Sequence, residues 1–82
     1  MSWYVYILKC ADNSLYTGVT TDLGRRIDEH NHCAKKGAKY TRVRRPVHLV
    51  YQEVQACRSS ACKREAEIKK LTRPQKLHLI DP

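Results

Sequence analysis

The N-terminal part of the chain contains two short apolar runs followed by a helical pattern, and this order limits the folds available to it. Residues 3–8 and 15–20 are rich in aromatic and β-branched side chains, which are typical of β-strands. A polar break separates the two runs, so they are predicted to pair as an antiparallel hairpin. The segment that follows, residues 22–34, repeats its apolar positions at helical spacing. The chain is therefore expected to begin with a β-β-α unit that later residues cover.

The length of the hairpin loop decides whether Tyr6 and Tyr16 share a face of the sheet. Side chains alternate along a strand, so a two-residue loop would place the two phenols on opposite faces. A three-residue loop, with Asn13 in the left-handed region as a bulge, reverses this parity. In that register Tyr16 lies opposite Leu8, and Tyr6 lies opposite Gly18, which leaves open space beside Tyr6. We favour the three-residue loop; the alternative is two ordinary strand tyrosines.

The predicted first helix carries two basic side chains on one face. Asp22 or Thr21 is suited to the N-cap. Arg26 and His30 are four residues apart, so they are neighbours at the edge of the apolar stripe, next to the sheet. Arg26 suits bidentate phosphate recognition; the alternative is an arginine paired with Glu29 or Asp22, beside a histidine that only packs. The apolar stripe consists of Leu23, Ile27 and Ala34.

A third strand is predicted after the proline at position 46. The first strand has large apolar side chains at odd and even positions, a pattern typical of a central strand covered on both faces. We therefore predict a mixed α/β (α+β) domain, with a three-stranded antiparallel sheet in the order 2-1-3 flanked by three helices (β-β-α-β-α-α). The predicted strands are residues 3–10, 14–20 and 46–55, and the predicted helices are residues 22–34, 59–71 and 73–80.

The second predicted helix contains a carboxylate on its apolar side. Glu65 follows Ala61 by four residues and precedes Ile68 by three, so it shares their side of the helix. A carboxylate there is costly unless it is paired or bound to a metal ion. Glu65 is therefore either a metal ligand or the partner of Lys69 in a surface ion pair. Glu67 points outward, towards neighbouring lysines.

The starts of the last two helices carry capping signals. Ser59 or Ser60 is expected to cap the second helix. Thr72 and Gln75 form a capping box with Pro74 in the first turn, which predicts a short last helix.

Positive charge is concentrated in one segment, residues 35–45, which we call the basic segment. The chain has a net charge of +8, from 16 Lys and Arg against 8 Asp and Glu. A basic segment with an interleaved aromatic suits a nucleic-acid backbone and an exposed base. The alternatives are a membrane surface, which would need an amphipathic apolar face, and a solvated charge run. The residues predicted to bind nucleic acid are Lys35, Lys36, Lys39, Tyr40, Arg42, Arg44 and Arg45.

Length and cysteine content restrict the remaining possibilities. The 82 residues suit a single domain, 1–82, with a small core. No apolar run is long enough to span a bilayer, and the N-terminus lacks a signal-peptide pattern, so we expect a cytoplasmic protein. Its four cysteines form no C-x-x-C pair, so free thiols are expected. His30, His32 and Cys33 cluster in sequence, but their spacing does not match a structural zinc site.

Two tripeptides and the residues that follow them resemble the GIY-YIG nuclease domain. The first is Tyr4-Val5-Tyr6, with Tyr4 where the family name has Gly, and the second is Tyr16-Thr17-Gly18, with Thr17 where the name has Ile. An arginine ten residues after the second tyrosine and a histidine four residues later complete the ordered pattern. The resemblance covers nearly the whole chain, and it is nearest to the small stand-alone bacterial members, which share the phrases at residues 37–42 and 65–72.

This resemblance implies a metal-dependent endonuclease acting on DNA, with RNA not excluded and with branched, nicked or single-stranded forms as candidate substrates. It implies Mg²⁺ or Mn²⁺ as cofactor, with Glu65 as its ligand. Several family members also use an Asn downstream of the metal-binding Glu, and this chain has no Asn after Asn31. The rival hypotheses are a nucleic-acid-binding module with little cleavage activity and an adaptor for an acidic protein. The implied catalytic residues are Tyr6, Tyr16, Arg26, His30 and Glu65.

Overall fold

The computed structural model describes residues 2–33 and 35–82 and has the predicted α+β architecture. Three antiparallel strands form one sheet in the order β2-β1-β3, which confirms the prediction. The predicted bounds agree with the observed ones to within two residues, although the predicted helix end at position 34 lies outside the described residues. The elements are β1 (Trp3–Lys9), β2 (Leu15–Thr20), α1 (Leu23–His32), α2 (Lys39–Arg42), β3 (His48–Gln55), α3 (Arg58–Lys69) and α4 (Arg73–Ile80).

The hairpin adopts the three-residue loop. Tyr6 pairs with Gly18 and Tyr16 pairs with Leu8, so the two phenols share a face of the sheet. Asn13 has φ 67°, in the left-handed region that asparagine tolerates. The expectation of open space beside Tyr6 was wrong. An ideal Cβ on Gly18 would lie 2.5 Å from the Tyr6 hydroxyl oxygen, so Gly18 makes room for the phenol itself.

Strand β1 separates two apolar clusters, as the pattern of its side chains predicts. On one face, Val5 and Ile7 pack against Ala61 and Ile68 of α3, with α4 residues at the edge of this cluster. On the other face, Tyr6, Leu8, Cys10 and Val47 form a second cluster that is covered by α1 and β2 residues. We call these the α3 face and the α1 face. Successive residues of β1 therefore pack alternately into the α3-face cluster and the α1-face cluster.

Helix α2 is one turn within the basic segment, and the sequence did not predict it. Four residues are too few to show a hydrophobic period, and an isolated turn is unstable by itself. Backbone N–H groups of Thr41 and Arg42 both donate to the Ala38 carbonyl. Thr41 is buried beneath α1, so tertiary contacts hold this turn in place. The basic segment is therefore partly structured.

The predicted caps are confirmed for α1 and α4 but not for α3. Asp22 caps α1, and its side chain accepts from the Arg25 N–H. The capping box of Thr72 and Gln75 starts α4 as expected. Helix α3 begins earlier than predicted, at an N-cap formed by Cys57. Ser60, one of the two predicted caps, instead accepts from the Cys57 backbone N–H and so satisfies a free donor.

None of the helices in residues 2–33 and 35–82 is both long enough and apolar enough to cross a membrane.

Candidate active site

The centre of the candidate site is a buried hydrogen bond between β1 and α1. The Tyr6 hydroxyl oxygen lies 2.9 Å from Nε2 of His30. The exposed fractions are 1% for Tyr6 and 0% for His30, so water does not compete for this bond. His30 faces the sheet because α1 presents its 26–30 side to β1, as the helical spacing predicted. Strand alternation and helical periodicity together bring a phenol and an imidazole into direct contact.

Aromatic contacts extend the site from His30 to the basic segment. The ring of Tyr16 meets the ring of His30 edge-on, with centroids 5.2 Å apart. Tyr40 stacks against Tyr16 with an interplanar angle of 27° and centroids 5.9 Å apart. The guanidinium of Arg44 lies 4.0 Å from the centroid of the Tyr40 ring. Tyr40 thus lies against the site, and its ring already contacts two side chains of the protein.

The second ring nitrogen of His30 also has a partner. Nδ1 of His30 lies 2.8 Å from Oγ1 of Thr41, a residue of α2 that is fully buried. The backbone N–H of Ala38 also approaches Nδ1, at 3.5 Å, which is the outer limit of a hydrogen bond. Because both nitrogens are bonded inside the protein, His30 is not free to join His32 and Cys33 around a zinc ion.

Burial favours the neutral forms of Tyr6 and His30. It raises the pKa of Tyr6 to about 12; Arg26 acts in the opposite direction, while Tyr16 and Glu65 raise it further. Burial also lowers the pKa of His30 to about 4, and Arg26 and Arg45 add to this effect. At neutral pH the site therefore holds a protonated phenol against a neutral imidazole.

Arg26 is partly exposed at the edge of this site and has protein partners. Its guanidinium lies 3.0 Å from Oε1 of Glu29, and it also donates to the backbone carbonyl of Lys36. The ion pair with Glu29 was the alternative considered from sequence, and the structure contains it. The influence of Arg26 on the pKa values of both Tyr6 and His30 places its charge near the buried pair. Arg26 therefore pairs with Glu29 and also lies near the buried Tyr6–His30 pair.

Glu65 lies on α3 at the boundary between the core and the surface. Its side chain is 24% exposed, and its Oε2 lies 3.6 Å from Nζ of Lys69, the surface pair considered from sequence. It is near enough to Tyr6 to raise the pKa of that phenol. Glu67 is 56% exposed and pairs with Arg64, three residues before it, and not with a neighbouring lysine as expected.

The basic segment contains two kinds of basic residue. Arg44 bonds to Asp12 of the hairpin turn, with Nε 3.0 Å from Oδ2, and Arg45 donates to the carbonyls of His30 and Cys33 at the end of α1. These two guanidiniums therefore hold the segment against the fold. Within the described residues, the other four basic side chains have no ion pair or side-chain hydrogen bond and are exposed: Lys35, Lys36, Lys39 and Arg42.

Two polar residues of the site region were not singled out from sequence. Thr41 stands among charged residues, and no local pattern marks its hydroxyl as buried. Asn31 holds the residue before β3 to α1: its Oδ1 accepts from the Val47 N–H at 2.8 Å and its Nδ2 donates to the Val47 carbonyl at 3.1 Å. Such contacts join residues more than ten positions apart, and local periodicity does not reveal them.

The α+β fold, with its three-stranded antiparallel sheet in the order β2-β1-β3, is consistent with a GIY-YIG catalytic domain. The chain belongs to that family, whose profile matches residues 2–78. It is similar to a UPF0213 protein of Staphylococcus aureus strain Mu3, with 58% identity over 79 residues, covering 96% of this chain and 94% of the relative.

Two solved structures agree with this assignment. The solution NMR structure of a UPF0213 protein from Bacillus halodurans has 48% sequence identity and a TM-score of 0.61, with 98% of this chain and 83% of that one covered. The solution NMR structure of a protein from E. faecalis has 44% identity and a TM-score of 0.64, with 96% and 83% covered. The fold and the family are therefore established together.

Proposed function

We propose that this protein is a metal-dependent endonuclease that hydrolyses phosphodiester bonds in DNA. The observation that carries the proposal is the buried Tyr6–His30 bond next to Arg26, in a chain that belongs to the GIY-YIG catalytic domain family. A polar pair of this kind inside a small core costs free energy that an apolar pair would not. We infer that this buried pair is there to transfer a proton. The adjacent basic segment supports nucleic acid as the substrate.

Glu65 is the candidate ligand for the metal ion. The described residues contain no group of three or more His, Cys, Asp or Glu side chains that could form a protein-only metal site. A single half-buried carboxylate fits Mg²⁺ or Mn²⁺, since these ions accept one carboxylate together with waters and phosphate oxygens. When bound, such an ion would polarise the phosphate and stabilise developing negative charge. When the ion binds, the ion pair between Glu65 and Lys69 would break, or Glu65 would contact both Lys69 and the ion.

The residues of the chain itself supply a route for the proton of the attacking water. Tyr6 gives its hydroxyl proton to Nε2 of His30, and the phenolate oxygen accepts the proton that the water loses as its oxygen attacks phosphorus. The bond from phosphorus to the leaving oxygen of the DNA strand breaks in the same displacement, and that oxygen takes a proton from solvent. The pKa values of about 12 and about 4 oppose the first transfer in the free protein. Arg26 would favour the phenolate but oppose the imidazolium, and a phosphate bound to Arg26 would offset its effect on His30. The base would therefore become active when substrate is bound.

Arg26 would also bind the phosphate that is being cleaved. Its planar guanidinium matches two phosphate oxygens, and it retains its charge at every relevant pH. Because Glu29 holds it now, the arginine is oriented before substrate arrives. The exposed basic side chains of the basic segment would bind the flanking phosphates.

A second candidate function is nucleic-acid binding with little or no cleavage. Two observations favour it: no Asn follows Asn31 in the sequence, and Glu65 is already paired with Lys69. In this case the basic segment would retain its role, and the Tyr6–His30 bond would only hold α1 against the sheet.

A cleavage panel distinguishes the two functions. The protein would be incubated with supercoiled plasmid, branched DNA, nicked DNA, single-stranded DNA and single-stranded RNA, with Mg²⁺, with Mn²⁺ or with a chelator. We expect metal-dependent cleavage of at least one DNA form, and the panel would show which structure is preferred. Binding to these substrates without cleavage under any metal condition would favour the second function.

A further inference from the structure

Thr41 is a buried polar residue that no part of the proposed mechanism has yet used. It belongs to α2, its exposed fraction is 0%, and its hydroxyl contacts His30 from the side opposite to Tyr6. Oγ1 lies 2.8 Å from Nδ1 of His30 and 3.0 Å from the carbonyl oxygen of Ala38. Buried hydroxyls are hydrogen-bonded in general, but this one is bonded to a candidate catalytic imidazole.

We propose that Thr41 is a positioning residue, which holds His30 in the tautomer with its proton on Nδ1 and so leaves Nε2 free to receive the proton of Tyr6. The catalytic consequence rests on the proposed nuclease function. The tautomer itself does not, and it can be tested separately.

The direction of the hydrogen bonds follows from the chemistry of each partner. A carbonyl oxygen only accepts, so the single proton of the Thr41 hydroxyl points to Ala38. The Thr41 oxygen then presents a lone pair to Nδ1 of His30, which must be the donor. In a neutral imidazole the other nitrogen, Nε2, is then the acceptor. It lies 2.9 Å from the Tyr6 hydroxyl, which therefore donates to it.

Ala38 provides the competing arrangement. Its backbone N–H lies 3.5 Å from Nδ1 of His30 and would favour the opposite tautomer, with Nδ1 as acceptor and the proton on Nε2. In that tautomer Nε2–H would donate to the Tyr6 oxygen, and His30 could not take the phenol proton. The 2.8 Å bond to Thr41 is the shorter of the two and decides in favour of the Nδ1–H form.

The position of Thr41 also joins the site to the basic segment. Lys39 and Arg42, on the same turn of helix, are exposed, whereas Thr41 points inward to His30. Arg44 fastens the end of this turn to Asp12 in the hairpin. A segment that would bind phosphates therefore also carries the group that orients the imidazole.

Two substitutions at this position separate the hydroxyl from the shape of the side chain. Thr41→Val keeps the branched shape but removes the hydrogen-bonding oxygen, and Thr41→Ser keeps the oxygen but removes a methyl group. Nitrogen-15 NMR of the His30 imidazole would report which ring nitrogen carries the proton, without any need for activity. We expect Nδ1–H in the wild type and in Thr41→Ser, and loss of this preference in Thr41→Val.

Single-turnover cleavage provides the second measurement. Thr41→Val should lower the rate constant by roughly 10- to 100-fold, by analogy with the range for groups that orient metal-binding histidines. Its affinity for DNA should stay within about twofold of wild type, since no phosphate-contacting charge is lost. Thr41→Ser should restore most of the rate.

The two measurements fail in different ways. A wild-type protein with the His30 proton on Nε2 would overturn the positioning role, whether or not the valine variant folds. The same would follow if Thr41→Val kept both the wild-type tautomer and the wild-type rate. If the wild type has the Nδ1–H tautomer but does not cleave DNA, then the proposed function fails and the positioning of His30 by Thr41 stands.

Discussion

The two faces of strand β1 are built from alternating residues of the same short sequence, yet they differ in chemistry. The α3 face is an apolar core of Val5, Ile7, Ala61 and Ile68. The α1 face buries polar groups among its apolar ones, including His30 and Thr41, each with an exposed fraction of 0%. No buried side-chain nitrogen or oxygen in the described part of the chain lacks a partner. The comparison indicates that the α3 face mainly stabilises the fold, whereas the α1 face holds most of the candidate catalytic groups; Glu65, on α3, is the exception.

Among the residues of the two faces of β1, a large effect on activity alone is expected from removing the Tyr6 hydroxyl. Tyr6→Phe keeps the ring against Gly18 but removes the proton donor to His30, so we expect cleavage to fall by roughly 10²- to 10⁴-fold, the range for a general base. Tyr16→Phe is the matched control on the same face, and it should retain more activity because Tyr16 contacts His30 through its ring. A larger loss for Tyr16→Phe in single-turnover assays would assign the base to Tyr16.

A substitution on the α3 face is expected to lower stability and leave activity unchanged. Ile68→Ala removes buried methyl groups from the apolar core and should lower the free energy of unfolding by about 2–5 kcal/mol. Urea denaturation would measure this loss, which is a large share of the stability of a small domain. The fraction that remains folded should cleave DNA at the wild-type rate. An activity defect in fully folded Ile68→Ala protein would show that the two faces are not separate in function.

The basic side chains of the basic segment also fall into two groups, one exposed and one bonded to the protein. The salt dependence of DNA affinity would distinguish them. Replacing Lys35, Lys36, Lys39 and Arg42 by Gln should reduce the slope of log affinity against log salt by roughly 3 to 4, because four phosphate contacts would be lost. Replacing Arg44 and Arg45 by Gln should change this slope less and the stability more, since their guanidiniums already bond to the protein. A slope change of roughly 2 for the variant with Arg44 and Arg45 replaced would place all six charges on the phosphates.

The smallest expected effect is the acid sensitivity of the α1 face. The folded-state pKa of His30 is lowered to about 4, whereas the ordinary value is 6.5. The unfolded chain therefore binds more protons in this window, and stability is lost as the pH falls from about 6.5 towards 4, by at most about 1.4 kcal/mol per pH unit. Urea unfolding between pH 7 and pH 5 would measure it. The stability of His30→Gln should depend less on pH than that of the wild type. The stability of His32→Gln, with its substitution on the exposed side of α1, should depend on pH as the wild type does.

Much of the difference between the α1 face and the α3 face could be predicted from local sequence rules. Asn13 and the loop length set the hairpin register, and that register placed Tyr6 and Tyr16 on one face. Helical spacing placed His30 beside the sheet. Such rules depend on residues that are close in sequence, where backbone geometry determines which side chains are neighbours.

What escaped prediction depends on contacts between distant residues. Helix α2 is too short for a hydrophobic period, and Thr41 gains its role only when α2 packs under α1. The partners of Arg44 and Arg45 lie on the hairpin turn and at the end of α1, so their sequence neighbours suggested phosphate binding only. Cys57 became the cap of α3 although cysteine is not a preferred N-cap residue.

If this site hydrolyses DNA with a metal ion held by Glu65, the two glutamates on α3, Glu65 and Glu67, allow a direct test. Glu65→Gln should reduce Mg²⁺-dependent plasmid nicking by on the order of 10³-fold or more, with folding and DNA binding preserved. Glu67→Gln should nick like wild type, because it removes only an exposed pair worth about 0.2–0.5 kcal/mol. Equal nicking by Glu65→Gln and wild type, at matched metal and salt concentrations, would contradict the claim.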